Sequence, residues 1–90
     1  MITVKYLFRC KCNEYTSERV ERTAYKQASK DAYHAMMYLQ YHHDYVIVEH
    51  HARCFTIEHK SAAHATKCAL IISAVRHGSQ LQITEYKVGK

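Results

Sequence analysis

The chain of 90 residues contains no proline and only two glycines, Gly78 and Gly89. Flexible linkers and low-complexity segments are therefore excluded. Asp31 and Asp44 are its only aspartates, and no glycine-rich turn is present to cradle a phosphate or an oxyanion. The longest apolar stretch, residues 68–75, is interrupted by Ser73 and is too short to cross a membrane. Met1-Ile2-Thr3-Val4-Lys5 reads as the start of a strand, not as a secretion signal. The expected location is cytoplasmic, and the four cysteines are expected to be thiols.

What is present points to a folded domain. Apolar residues make up 48% of the chain, enough for a core, and residues 1–90 are expected to form a single domain. The formal charge of +5 favours acidic partners, either a protein surface or nucleic acid.

Two stretches resemble each other. Glu21, Ala28, Lys30 and Ala32 recur at constant spacing as Glu58, Ala65, Lys67 and Ala69. Each copy reads as an amphipathic helix feeding a short strand, the strands ending in Glu49 and Glu85. Ile2, Val4, Tyr6, Phe8 and Cys10 alternate with Thr3, Lys5, Leu7 and Arg9, the period of a half-buried strand. A turn is expected at residues 11–14, and the charged segment 15–22 reads as an edge strand at best. Thr23 is expected to cap a helix over 24–40 with the inward stripe Ala24, Ala28, Ala32, Ala35, Met36 and Leu39. Ser61 is expected to cap a second helix over 62–77, with Gly78 as its stop. The stripe of that helix is Ala62, Ala65, Ala69, Ile72 and Val75, widened by Leu70 and Ile71.

A hairpin is expected from 45–50 and 53–59. If its turn is His51-Ala52, Val48 faces Phe55 and Val46 faces Ile57 on the core side. A last strand over 80–86 points Leu81 and Ile83 inward. The expected fold class is α+β: an antiparallel sheet with two helices on one face, in the order β-β-α-β-β-α-β, a ferredoxin-like variant. Because segment 15–22 is a poor central strand, residues 2–10 can take the central place instead.

No motif specifies a chemistry. Cys10-x-Cys12 and His50-His51-x-x-Cys54 lack the paired knuckles of a structural zinc site, so neither metal nor cofactor is expected. A thiol–imidazole pair such as Cys54 with His51, and a carboxylate pair from Glu49 and Glu58, are possible in geometry, but nothing desolvates the carboxylates. The Arg53–Ile57 strand lacks the glycine–aromatic alternation of an RNA-binding sheet. A zinc- or thiol-dependent enzyme is thus the weakest of the readings, and no enzyme is expected.

The stronger signal is a surface. Arg22, Lys26, Lys30 and His34 fall at i, i+4 spacing on the first helix, opposite its alanine stripe, beside Tyr25 and Tyr33. Lys60, His64 and Lys67 form a shorter row assigned to the second helix. Like charges so spaced repel by about 0.2–0.5 kcal/mol per pair, a cost that a binding face recovers and a merely solvated face does not.

The N-terminal layout, residues 2–10, 15–22 and Thr23-Ala24-Tyr25-Lys26-Gln27-Ala28-Ser29-Lys30-Asp31-Ala32, resembles small phage-encoded anti-defence proteins, anti-CRISPR proteins among them. That resemblance is one of layout and composition and carries no functional residues over. It implies a stoichiometric inhibitor that occupies a host complex in the host cytoplasm. The expected function is therefore non-enzymatic binding to an acidic protein surface or nucleoprotein complex, with homodimer formation open and no membrane involved. Direct binding of DNA or RNA through the same basic face is the alternative.

Overall fold

The computed structural model describes residues 1–10, 15–74 and 80–89. The elements are β1 (Ile2–Arg9), α1 (Glu18–His42), β2 (Val46–His51), β3 (Cys54–His59), α2 (Ala62–Ala74) and β4 (Gln80–Val88). The expected α+β class with an antiparallel sheet is present. Its order is β-α-β-β-α-β, one strand fewer than expected, and the sheet runs β2-β3-β1-β4 with every neighbouring pair antiparallel. The turn expected at 11–14 and the stop at Gly78 lie outside the described residues.

β1 is central, flanked by β3 and β4. Its even positions face the core: Ile2, Val4, Tyr6 and Phe8 are all buried, whereas the odd positions are not. These four side chains form one core cluster with Ala28, Ala32, Ala35, Met36 and Leu39 of α1, Phe55 and Ile57 of β3, and Ala65, Cys68 and Ile72 of α2. Phe55 sits between Tyr6 and Phe8, with ring centroids 5.6 and 6.2 Å away.

The missing strand is the first correction. Segment 15–22 does not form an edge strand; residues from Glu18 onward are the first turns of α1. Ser17, not Thr23, is the N-cap: its hydroxyl accepts from Val20 N at 3.4 Å and its carbonyl accepts from Glu21 N at 2.9 Å. Glu18 and Glu21 lie at the positive end of the helix dipole, and Glu18 reaches Arg22 at i, i+4. The same charges that resemble an edge guard are here helix-start signals. Thr23 turns its hydroxyl back to the Arg19 carbonyl. The alanine stripe of α1 is placed as expected, with Ala24 half-buried at its upper end.

α2 is capped by Ser61, whose hydroxyl accepts from His64 N at 3.2 Å. Its buried strip is Ala65, Cys68 and Ile72; Ala62 and Leu70 are exposed and Ala69 is half-buried. The repeat is therefore only partial. Ala28 and Ala65 both face the core, but Glu21 sits on a helix and Glu58 on a strand.

The hairpin register is the second correction. Ile47 faces Ile57, His50 faces Phe55 and Val46 faces Glu58, with a register shift between Ile47 and Glu49 and the turn at Ala52-Arg53. Val46 and Val48 are left 55% and 49% exposed. A one-residue slip moves a whole strand face to the other side, and here Ile47, not the two valines, wins the core position. Ile83, expected to point inward, pairs with buried Tyr6 but remains half-exposed because β4 is an edge.

The two alanine stripes do not predict the same mutational response. Ala32 and Ala69 each border an open cleft, whereas Ala28 is fully buried. Ala28→Leu is expected to overpack the α1 interface and destabilise by about 1–3 kcal/mol, with Ala69→Leu closer to neutral. Urea midpoints of the two variants check this, and equal losses would contradict the packing described.

Candidate recognition surface

α1 has no proline or glycine over its 25 residues, so nothing interrupts its outer face. Arg22, Tyr25, Lys26, Lys30, Tyr33 and His34 are all exposed on it. The first member of the row is not a free cation, since Arg22 pairs with Glu18 at 2.7 Å. Neither Lys26 nor Lys30 has a carboxylate within 4 Å among the described residues. Tyr33 leans on His34, with ring centroids 6.2 Å apart.

The hairpin turn completes this surface. Phe8 N donates to Arg53 O at 2.8 Å, which ties the turn to the central strand. Arg53 then extends back over Tyr25, its guanidinium carbon 4.3 Å from the ring centroid, a cation–π contact. Between α1 and the hairpin lies an open cleft of about 270 Å³, lined by Ser29, Ala32, Tyr33 and Met36 on one side and by His50, His51, Ala52, Cys54 and Phe55 on the other. As candidate site residues, Arg53 and His50 read from the sequence only within an RNA-binding strand and a metal set, and the cleft beside them is not legible there. A lone arginine in a turn carries no spacing signal, and only the corrected register brings His50 opposite Phe55.

The second basic row is at a different place. Lys60 precedes α2 instead of lying on it, so Lys60, His64 and Lys67 do not form a single helical row. With His43, Asp44 and Tyr45 they line a separate, polar cleft of about 250 Å³. Lys60 approaches Asp44 at 3.8 Å with both side chains exposed, a weak pair. Of the nine expected contact residues, Tyr33 lines the first cleft and Lys60, His64 and Lys67 the second, whereas Arg22, Tyr25, Lys26, Lys30 and His34 are exposed on α1 and line neither.

Beneath the polar cleft runs a buried polar chain. Phe55, Ile57 and His59 alternate on the core side of β3, which places an imidazole in the apolar interior. His59 Nε2 is 2.9 Å from the Tyr6 hydroxyl, and its Nδ1 is 2.9 Å from His64 Nδ1. Of the two facing Nδ1 atoms one must donate and the other accept, so tautomer choice on one ring dictates it on the other. Burial, followed by the neighbouring His64, lowers the His59 pKa to about 4 and keeps the ring neutral. Burial likewise raises the Cys68 thiol to about 11, partly offset by a hydrogen bond with Tyr6, and holds the Tyr6 hydroxyl well above its ordinary value. The tyrosine in phase on β1 was the sequence clue, because a buried hydroxyl needs a partner.

Elsewhere, His51 Nε2 contacts Glu49 Oε1 at 2.6 Å, which engages the imidazole that could otherwise serve Cys54. Among the described residues no group of three or more His, Cys, Asp or Glu side chains is arranged to hold a metal ion. No described helix is long and apolar enough to cross a membrane. No family model, no curated protein and no solved structure matches the chain.

Proposed function

We propose that the protein is a non-enzymatic binding protein that docks on an acidic protein or nucleoprotein surface through α1 and the adjoining hairpin turn. Inhibition of a host complex by a phage anti-defence protein is the biological setting this reading favours. The observation that carries it is the apolar cleft between α1 and the turn, walled by Tyr33 and adjoined by the Arg53–Tyr25 stack. A solvated helix face does not require an open apolar cleft, and a cleft flanked by cations and tyrosines suits a partner side chain inserted among acidic neighbours. The reading takes the sheet as a ferredoxin-like variant with both helices on one face, so that the recognition surface lies along the outer side of the longer helix. Lys60, His64 and Lys67 contribute at the second cleft.

The test starts with capture of the partner from a host lysate and its identification by mass spectrometry. Lys26→Glu combined with Lys30→Glu is expected to leave the fold intact and to weaken binding to that partner by about 1–3 kcal/mol. Raised salt should weaken the wild type more than the variant. Wild-type affinity of the double variant at low salt would reduce the ridge to solvated surface. Gel shifts on generic DNA and RNA separate the alternative: sub-micromolar binding with a steep salt slope would mean direct nucleic-acid recognition.

A further inference from the structure

The sheet ends at β2 on one side and at β4 on the other. β2 is six residues long, and its register breaks between Ile47 and Glu49. An irregular edge of this kind twists away from incoming strands. β4 is nine residues long, and its own irregularity falls in its middle, at Thr84, between the residues that face Lys5 and Tyr6. Glu85, Tyr86, Lys87 and Val88 then face Lys5, Val4, Thr3 and Ile2 in an unbroken run. Among the described residues the outer edge of this run has no strand partner. On the core side of the sheet it carries Tyr86 and Val88, 51% and 75% exposed, with Ile83 47% exposed nearby. Between β4 and α2 lies an open apolar groove of about 170 Å³, bordered by Val4, Ala65, Ala69, Ile83 and Tyr86. An unpaired four-residue edge run beside an apolar groove is a template for another chain.

The charges on that edge specify which chain. Glu85 and Lys87 project from the opposite side of β4 to Tyr86, two residues apart. An antiparallel copy of the same strand, related by a two-fold axis through Tyr86, sets Glu85 against the partner's Lys87 and Lys87 against the partner's Glu85. The two Tyr86 rings then meet on the axis over the paired grooves. The contact is isologous and closes at two copies. We infer that the protein forms a homodimer by antiparallel pairing of β4 with β4, centred on Tyr86, which joins two four-stranded sheets into one.

Lys87 stands opposite the uncharged Thr3 on β1 and approaches its own Glu85 at 3.7 Å with both side chains exposed, a weak pair that its charge reversal removes with little effect on folding. Sedimentation velocity of the wild type between about 1 and about 100 µM, the range in which a modest interface associates, is expected to show a species of twice the chain mass. Lys87→Glu sets like charges opposite each other twice across the axis and should weaken association about tenfold or more. Adding Glu85→Lys to Lys87→Glu inverts both pairs and should restore association. Concentrating the wild type should also slow amide hydrogen exchange over residues 84–88 and leave 46–51 unchanged. A monomer throughout the range, protection at 46–51 instead, or a natively folded double variant that does not recover association would each overturn the inference.

Discussion

Phe55→Ala is expected to destabilise the protein by about 3–5 kcal/mol, whereas Val48→Ala should change its stability by less than about 0.5 kcal/mol. Phe55 is buried between Tyr6 and Phe8 on the central strands, and its removal leaves a void that two aromatic rings and the α1 backbone cannot fill. For a small domain whose total stability is on the order of 5–15 kcal/mol, such a loss is a large fraction of the whole. Val48 lies at the register break of an edge strand with half its surface in water, so truncation there removes little buried area. The comparison tests the hairpin register itself. In the register read from the sequence these two residues pair across the core and should fail together. Urea denaturation of both variants decides between the registers, and a loss at Val48 comparable to that at Phe55 would refute the one described here.

Acidification is the second large effect. His59 titrates near 4 in the folded chain and near the ordinary imidazole value of 6.5 once unfolded. Between those values the unfolded chain binds a proton that the folded chain does not. Stability therefore falls as pH drops from about 6.5 to about 4 and levels off below, by up to about 3 kcal/mol from this group. The cause is burial without a counter-charge, reinforced by His64, which presents its own ring nitrogen to the same atom. His59→Gln keeps a hydrogen-bonding side chain at the site but has no proton to take up. It should lower stability at pH 7.5 and flatten the dependence between pH 6.5 and 4. Glu49, lowered by its contact with His51, acts in the same direction at lower pH but is solvent-exposed and weak. Parallel pH profiles of wild type and His59→Gln would show that the buried imidazole is not the responsible group.

The two predictions together define how the interior is organised. Its apolar part is an ordinary small core, with alanines letting α1 approach β1 and β3 closely. Within it a polar chain, Tyr6–His59–His64, leads from the central strand to the lip of the Lys60–Lys67 cleft. Tyr45 is part of this region: its ring lies 4.5 Å from that of His64 and 5.7 Å from that of His59, and its buried hydroxyl has no hydrogen-bond partner among the described residues. His59 and His64 pair as neutral rings here, and burial without a counter-charge makes a proton added to His59 costly.

Local patterning by itself determined that residues 2–8 form a half-buried strand and that α1 turns its alanine stripe inward, while the central place of that strand was settled by its pairing with β3 and β4. Alternation over residues 2–8 and alanine spacing over 28–39 follow from the geometry of strand and helix and need no knowledge of neighbours. The Ser61 cap is likewise a matter of adjacent residues. Tertiary structure decided what depends on competition between distant groups. Residues 18–22 could serve an edge strand or a helix start, and continuity with the long helix settled the choice. Val46, Ile47 and Val48 are all suited to a core, and period-two pairing admits only one register, which packing against Ile57 and Phe55 selected. The candidate recognition surface was legible in its α1 half because helical spacing exposes Lys26, Lys30 and Tyr33 together. Its other half, Arg53 over Tyr25 beside an apolar cleft, exists only because the turn is tied to β1, a contact between residues far apart in the chain.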